Sequence, residues 1–337
     1  MGGLSAHIFY GKGDIMQGKI LKLLLDAEGY ISGQAISEKL NVSRQAVNKS
    51  IMSLRNKGYE VESVTNKGYL LKSCPNVLNE ELIKYHLNTS VMGKKIKVLD
   101  SVTSTNDYLK KLGAKGEEHG TIIVAREQTA GKGRLGRVWQ TKKDDGIAFS
   151  VILRPELSPV EVSSITPLSG LAVCKAINEF CMLDSKIKWP NDVIVGKKKL
   201  VGILTEMSAE FDKVEYIVIG VGINVEHTVF PEEIAHKATS ILLETGRHID
   251  KNKFLASVIT NLEKILFENN YRLTGAVLKD YTDHCATIGR QVTFTRGSRN
   301  ITGMAVSISN SGELEVMLSN GTIVTVNSGE VTVQGIY

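Results

Sequence analysis

The hydrophobic pattern of the 337-residue chain changes twice along its length, and this change restricts the possible folds more than any other feature. Residues 16–72 show helical periodicity followed by two short strand patterns, residues 81–286 alternate strand-like and helix-like segments, and residues 287–337 contain only short alternating strands. Residues 73–80 have the composition of a linker. We therefore predict a multidomain chain of the mixed α/β (α+β) class. Residues 1–15 have no usable period, and we predict a disordered leader, a tag or a misplaced start.

The composition excludes several classes of protein. Hydrophobic residues make up 42% and charged residues 23%, as in ordinary soluble globular proteins, and no apolar run is long enough to span a membrane. The four cysteines are far apart and form no C-x-x-C pair, so we expect free thiols in a reducing, cytoplasmic compartment and neither disulfides nor a metal site. Because the formal net charge is only +5, nucleic-acid binding would require a local basic patch.

Residues 16–72 have the pattern of a winged helix-turn-helix. Ser43 can cap the second helix, and Val47, Ile51 and Leu54 recur at the spacing of a buried helical face. A turn at 65–68 then separates two short strands. The segment carries nine Lys or Arg against five Asp or Glu, a net charge of +4.

The polar face of that second helix can contact base edges and phosphates in a major groove. The predicted DNA-binding residues, which include one at the hairpin tip, are Ser43, Arg44, Gln45, Asn48, Lys49 and Lys67. The alternative is a small helical domain with an ordinary solvated face.

The stretch "TAGKGRLGRVWQ" (129–140) matches the G-x-G-x-x-G pattern of dinucleotide-binding turns. We reject that interpretation because five residues separate the preceding strand from Gly131, no good helix follows Gly136, and the next strand ends in Arg154 and not in an acidic residue. The Walker A pattern fails as well, since no Gly-Lys-Ser/Thr occurs. What remains is a loop of backbone N–H groups and cations suited to an anionic ligand, or a flexible surface loop.

Five motifs occur together in the chain. They are "DSVTSTND" (100–107), "AREQTAGKGRLGRVW" (125–139), "KWPNDV" (188–193), "KLVGILTE" (199–206) and "GVGINV" (220–225). With the domains on either side, the chain from residue 16 to its end closely resembles the biotin protein ligases, and specifically the bifunctional type that also represses biotin genes. The resemblance implies a central catalytic domain like that of class II aminoacyl-tRNA synthetases at 81–286 and an SH3-like β barrel at 287–337.

The resemblance also implies a reaction. Biotin and ATP, with Mg²⁺, would form biotinyl-5′-adenylate, and a lysine of a biotin carboxyl carrier domain of a carboxylase would then take the biotin, as in a biotin–[acetyl-CoA-carboxylase] ligase. The adenylate-bound chain would form a homodimer on the operator DNA of biotin genes.

The resemblance assigns residue roles by position. The implied catalytic residues are Lys188 and Arg134. The implied biotin- and adenylate-binding residues are Ser104, Thr105, Asn106, Gln128, Gly131, Lys132, Gly133, Arg137, Trp139 and Asn224. One departure is Lys132, where the family usually has arginine, so a bidentate donor is lost.

Several alternatives stay open. Ser104, Thr105 and Asn106 could cap a helix as well as bind ligand, and Lys197–Lys199 is interpreted as a solvated hairpin tip. A lysine flanked by buried residues, as Lys188 is predicted to be, is costly unless it is paired. The competing functions are a lipoate-type ligase and a biotin-sensing transcription factor without ligase activity.

Overall fold

The computed structural model describes residues 12–210, 212–327 and 331–337, with side chains from Met16 onward. The chain forms two compact units, one ending at Asn76 and the other beginning at Val77. Among the described helices, none is long and apolar enough to cross a membrane.

The first unit contains three helices followed by a two-stranded antiparallel sheet. The elements are α1 (Lys12–Leu25), α2 (Gly33–Leu40), α3 (Arg44–Asn56), β1 (Glu60–Val64) and β2 (Gly68–Ser73). Ser43 caps α3 as predicted, because its hydroxyl accepts a hydrogen bond from the Ala46 N–H at 3.1 Å. Val47, Ile51 and Leu54 are buried against the other helices, as the spacing predicted. The predicted helix-turn-helix with its hairpin is thus present.

The start of α1 differs from the prediction. The helix begins at Lys12, whereas the apolar pattern first indicated a helix near Met16. Residues 12–15 show no helical apolar repeat of their own, so the hydrophobic pattern did not indicate this extra turn. The rest of the predicted leader, residues 1–11, lies outside the described residues.

The second unit is built on a seven-stranded sheet in the order β3-β4-β5-β9-β8-β7-β6. Its strands are β3 (Ile96–Leu99), β4 (Ile122–Ala125), β5 (Gly146–Leu153), β6 (Ser185–Lys188), β7 (Asp192–Val195), β8 (Lys198–Glu210) and β9 (Lys213–Asn224). The β3–β4 pair is parallel and every other pair is antiparallel. The sheet is therefore mainly antiparallel.

Helices cover both faces of this sheet. The helices of this unit are α4 (Glu80–His86), α5 (Thr105–Gly113), α6 (Ile165–Cys181), α7 (Glu232–Ala235), α8 (Ile241–Thr245), α9 (Lys251–Glu268) and α10 (Gly275–His284). Alternate strand residues serve the two faces: Ile123 and Val218 pack with Leu109 of α5, whereas Ile122 and Ile219 belong to the larger core that includes α6 and α9. The site described below lies beside the interior strands β8 and β9, where loops of this unit meet.

The apolar stretch "IKWPNDVIV" does not form one continuous strand. It forms β6 and β7, an antiparallel hairpin whose turn contains a cis peptide between Trp189 and Pro190. A proline has no N–H for a strand ladder, so a break at Pro190 has a physical reason that the hydrophobic pattern alone did not reveal.

The C-terminal segment forms an all-antiparallel five-stranded sheet, as its alternating pattern predicted. The strands are β10 (Gln291–Arg296), β11 (Arg299–Ile308), β12 (Leu314–Met317), β13 (Ile323–Val326) and β14 (Val331–Val333). This sheet belongs to the same compact unit as the seven-stranded sheet.

Candidate active site

A cavity of about 1030 Å³ opens beside β8 and β9. Its walls come from the 128–142 loop, the β6–β7 turn, the 227–238 segment and the C-terminal sheet. The structure brings eleven of the twelve predicted ligase-site residues into this lining, and the twelfth, Gly131, lies within the loop that forms one wall. A site assembled from these separated segments is the juxtaposition that the motifs predicted.

Polar side chains at the start of α5 form one end of the cavity. Ser104 caps the helix by accepting a hydrogen bond from the Asp107 N–H at 3.4 Å, so for Ser104 the capping interpretation holds together with a place in the lining. Thr105 donates its N–H to Gln128 Oε1 at 2.9 Å. Asn106 is buried, and its Nδ2 donates to Glu206 Oε2 at 2.8 Å. This end therefore offers fixed donors and acceptors to a small polar ring system.

Glycines on β8 and β9 are required by close approaches. A Cβ at Gly220 would lie 2.1 Å from Asn106 Oδ1, and one at Gly222 would lie 2.3 Å from Trp139 Nε1. A Cβ at Gly202 would also lie 2.9 Å from the Trp139 ring. The Trp139 indole thus packs against β8 and β9 where Gly202 and Gly222 leave room for it, and Lys199 Nζ lies 5.5 Å from the centre of the indole ring.

The 129–140 loop is folded back on itself. Trp139 donates its N–H to the Gly131 carbonyl at 2.8 Å, and Gly133 donates to the Arg137 carbonyl at 2.7 Å. A Cβ at Gly131 would lie 2.2 Å from the Trp139 carbonyl oxygen, which explains that glycine. A single 3₁₀ turn spans Arg134–Gly136, and no helix begins there, so rejecting the dinucleotide-binding turn was correct.

Two cations of the loop have identifiable partners. Arg134 Nη1 donates to Asn191 Oδ1 at 2.9 Å, which ties the loop to the β6–β7 turn. Lys132 Nζ lies 2.7 Å from Asp107 Oδ2. Although partial burial would raise it, the pKa of Asp107 is lowered, because the ammonium groups of Lys132 and Lys110 both pair with its carboxylate.

Lys188, at the end of β6, is the most perturbed cation of the cavity. Burial lowers the pKa of Lys188 to about 8, and the Asp192 carboxylate opposes this shift. The ammonium lies 3.7 Å from the centre of the Tyr337 ring. The predicted cost of burying this lysine is thus met by an aromatic face and a nearby carboxylate.

Lys199 was assigned to a solvated hairpin tip, and this is wrong. Lys197 and Lys198 are exposed, but Lys199 is half-buried in the cavity wall, where Nζ lies 2.6 Å from Asp192 Oδ1. The signal was its place directly before the buried residues Leu200 and Val201, since alternation along a strand turns neighbouring lysines to opposite faces.

The segment after β9 supplies further lining residues that the sequence did not reveal. Asn224 is buried, and its Nδ2 donates to the Thr239 carbonyl at 3.0 Å, so it holds this segment in place. His227 and Phe230 stack with their ring centres 5.4 Å apart. Burial lowers the pKa of His227 and so favours its neutral imidazole form.

The predicted DNA-binding residues lie together in the first unit. The side chains of Ser43, Arg44, Gln45, Asn48 and Lys49 are exposed at the start of α3, and Lys67 is exposed at the tip of the hairpin. A groove-reading helix and its wing require such exposed polar and basic side chains, and their contact with DNA stays a prediction.

Comparison with known proteins agrees with this architecture. Residues 98–224 match the Biotin/lipoate A/B protein ligase family model, residues 17–70 match an HTH domain, and residues 287–333 match the Biotin protein ligase C terminal domain. Fold and site together define a ligase joined to a DNA-binding domain.

Similarity to individual relatives shows which kind of ligase the chain resembles. The chain is 42% identical over 257 residues to the bifunctional ligase/repressor BirA of Bacillus subtilis. The aligned region covers 76% of this chain and 75% of that protein. It is 30% identical over 317 residues to the Escherichia coli protein of the same name, covering 94% and 96% of the two chains. The solved biotin protein ligase of Aquifex aeolicus, in complex with biotin and ATP, superposes with a TM-score of 0.60 at 30% identity, over 72% of this chain and 99% of that one. The chain belongs to the family of bifunctional biotin ligase/repressors.

Proposed function

We propose that this protein joins biotin to ATP as biotinyl-5′-adenylate, transfers the biotin to a lysine of a biotin carboxyl carrier domain, and represses biotin genes when the adenylate is bound. The observation that carries the proposal is one cavity with a polar end at Ser104–Asn106 and a cluster of cations at Arg134, Lys188 and Lys199. A neutral ureido ring and a set of phosphates need these two environments side by side.

In the first half-reaction, a carboxylate oxygen of biotin attacks the α-phosphorus of ATP. A new O–P bond forms, the bond to the bridging oxygen breaks, and pyrophosphate leaves with the electron pair. The carboxylate is ionised at pH 7 and needs no general base. The chain must instead position the reactants and stabilise charge on the phosphate oxygens, which suits the ammonium of Lys188 and the guanidinium of Arg134.

The remaining predicted residues would divide the ligand between them. Ser104, Thr105, Asn106 and Gln128 would hold the biotin ring through the donors and acceptors described above. Gly131, Lys132, Gly133 and Arg137 would surround the carboxylate and phosphate, and Trp139 and Asn224 would border the adenine. The loop hydrogen bonds and the close contacts of Trp139 on β8 and β9 support this division.

Mg²⁺ would arrive as MgATP. No group of three or more His, Cys, Asp or Glu side chains able to hold a metal occurs among the described residues. Most oxygen ligands of the ion would therefore be phosphates and waters, as is common for Mg²⁺ on nucleotides.

In the second half-reaction, a carrier lysine amine attacks the biotinyl carbonyl and AMP leaves. The mixed anhydride also reacts with water, so the site must exclude solvent until the carrier docks. The folded-back loop, which rests on Trp139, is suited to covering the intermediate.

The finer structural labels fit this function. We propose that the seven-stranded, mainly antiparallel sheet is of the class II aminoacyl-tRNA synthetase type, and that residues 287–337 form an SH3-like barrel. We also propose a cytoplasmic location and an adenylate-bound homodimer on operator DNA, with the exposed start of α3 as the reading surface.

One assay separates this function from its competitors. The protein is incubated with MgATP, a carrier domain, and either labelled biotin or labelled lipoate, and label that survives denaturation is measured. Biotin-specific labelling that disappears when the carrier lysine is replaced supports the proposal. Labelling with lipoate alone would assign a lipoate-type ligase, and no labelling with retained biotin binding would assign a sensor.

A further inference from the structure

The C-terminal sheet reaches the cavity through Tyr337. The centre of its ring lies 3.7 Å from Lys188 Nζ, and its hydroxyl donates a hydrogen bond to Asp192 Oδ2. The other oxygen of that carboxylate lies 2.6 Å from Lys199 Nζ. The Tyr337 side chain therefore contacts the Lys188 ammonium directly. It also holds the Asp192 carboxylate, which pairs with the Lys199 ammonium.

The β6–β7 turn, which joins Lys188 to Asp192, is hydrogen-bonded to the C-terminal segment at two further points. Trp189 donates its backbone N–H to Thr287 Oγ1 at 3.0 Å and its indole N–H to the Gly312 carbonyl at 2.8 Å. Because Trp189 is 2% exposed, these bonds are shielded from water. Hydrogen bonds from the C-terminal segment thus hold the turn that carries Lys188 and Asp192 in place.

The charges around Lys188 explain why an aromatic face is useful there. Burial is the largest influence on the pKa of Lys188 and lowers it. The Asp192 carboxylate raises this pKa, and the positive charges of Lys199, Arg137 and Lys237 lower it further. A second carboxylate would keep the ammonium charged but would repel a phosphate. A tyrosine ring attracts the ammonium without a full negative charge, so the cation stays available to an anion.

We propose that Tyr337 is a positioning residue for adenylate formation: its ring holds the Lys188 ammonium in the cavity, and its hydroxyl fixes the Asp192 carboxylate that pairs with Lys199. The inference rests on the proposed function in giving Lys188 a role at the phosphate. It adds that the C-terminal domain contributes a side chain to the catalytic cavity.

The test compares Tyr337→Leu with Tyr337→Phe in the full chain. Both variants lose the hydroxyl, and only the leucine variant loses the ring, so their difference isolates the aromatic face. The pH dependence of Lys188 acetylation by trace acetic anhydride, read by peptide mass spectrometry, reports the protonation of Lys188 without any enzymatic activity. The midpoint should lie about half a unit to one unit lower in Tyr337→Leu than in Tyr337→Phe, because leucine keeps the apolar wall but gives the ammonium no attraction.

Biotin-dependent exchange of pyrophosphate into ATP gives the catalytic readout. The rate in Tyr337→Leu should be about tenfold below that in Tyr337→Phe. In a Lys188→Ala background the two substitutions should have equal rates, because the ring acts through the ammonium. Tyr271→Leu, which removes a half-buried ring outside the cavity lining, controls for general loss of packing.

Equal labelling midpoints in the two variants would overturn the inference, as would an undiminished tenfold difference in the Lys188→Ala background. If Tyr337→Leu unfolds, Tyr337→Met replaces it, since methionine fills a similar volume without an aromatic face. An unaltered chain without any biotin-dependent exchange would refute the proposed function, whereas the labelling midpoints would still decide the position of Lys188.

Discussion

Lys188 is partly buried, and burial disfavours the charged form of its amine. The charge of this side chain, and with it the expected activity, therefore depends on pH. The ammonium lies 3.7 Å from the centre of the Tyr337 ring, and burial lowers the pKa of the side chain to about 8 against the opposing charge of the Asp192 carboxylate. A lysine in this state is charged below pH 8 and loses its charge as the pH rises. In the proposed role at the phosphate, the contribution of Lys188 would therefore depend on pH, unlike that of Arg134.

Replacing Lys188 by alanine should slow adenylate formation by about a hundredfold or more, near 3 kcal/mol, because a cation facing the transition state is lost. Transfer from isolated adenylate to the carrier should fall much less. Pyrophosphate exchange and single-turnover transfer measure the two steps separately. Equal losses in both steps would contradict a specific role at the phosphate.

The pH dependence of exchange provides a second test at the same residue. If the protonated amine is required, the rate in the unaltered protein should decline as the pH rises through about 8. In Lys188→Arg that decline should disappear, because a guanidinium stays charged. Rate profiles from pH 6 to about 10 report this directly, and an alkaline decline that persists unchanged in the arginine variant would assign it to another group.

The 129–140 loop packs against strands β8 and β9 through the indole ring of Trp139. Gly222→Ala would place a Cβ 2.3 Å from Trp139 Nε1, so the ring must move and carry the loop with it. We expect MgATP-dependent adenylate formation to fall by about tenfold to a hundredfold, with little change in thermal stability.

Gly170→Ala is the matched control for this prediction. Gly170 lies in α6, and its added Cβ would meet Ile187 at 3.7 Å, an ordinary contact. This variant should keep full activity and gain slight stability, because alanine favours helix. If both variants are equally active in exchange, the seating of Trp139 has no part in forming the site.

Helix α9 fixes a loop of the same unit through one carboxylate. Glu263 is buried and accepts hydrogen bonds from the N–H groups of Ser90, Val91 and Met92. Although burial would raise it, these bonds hold the pKa of Glu263 below its usual value. The stabilisation is therefore complete above the unfolded-state pKa and is lost as the pH falls through the lower folded-state pKa.

Glu263→Gln should lower the free energy of unfolding at pH 7 by about 2 kcal/mol, because the charge-assisted bonds are lost. The gap to the unaltered protein should shrink as the pH is lowered toward 4. Denaturant titrations at several pH values measure it, with exposed Glu268→Gln on the same helix as control. A gap independent of pH would show that packing and not the carboxylate stabilises the loop.

Elements with a local signature could be predicted from the sequence, and contacts between distant segments could not. Ser43 and the buried spacing of Val47, Ile51 and Leu54 identified α3 directly. The β6–β7 turn and the place of Lys199 in the cavity wall depend on which strands pair, and the hydrophobic pattern of one segment holds no such information. The motif resemblance supplied the site residues, but the reasons for Gly220 and Gly222 appear only when Asn106 and Trp139 are seen against them.

The candidate ligase cavity and the predicted DNA-binding residues lie in separate compact units of the chain. A helix-turn-helix with a net charge of +4 reads DNA best as one of a pair, so an effect of the adenylate on dimerisation would link the two functions. Linkage requires that a dimer favoured by the adenylate also holds the adenylate more tightly, by the same total factor.

Biotin plus MgATP should therefore raise both the dimer fraction and the operator affinity, with a coupling of roughly 1–3 kcal/mol. Sedimentation and operator binding at one stated salt concentration measure the two quantities. A chain without residues 1–74 should lose operator binding but keep adenylate formation. Ligand-independent values for both quantities would remove the regulatory half of the proposal.

The indole hydrogen bond from Trp189 to the Gly312 carbonyl also limits how such proteins can be recombined. The acceptor lies in the short connection between β11 and β12, where Gly312 has a φ of 83° and an added Cβ would lie 2.9 Å from Pro167. A chimera that takes its C-terminal domain from a relative must therefore bring a connection of the same length with glycine at this point. Otherwise the transplanted domain would leave the β6–β7 turn of the recipient enzyme, which carries Lys188, without this hydrogen bond.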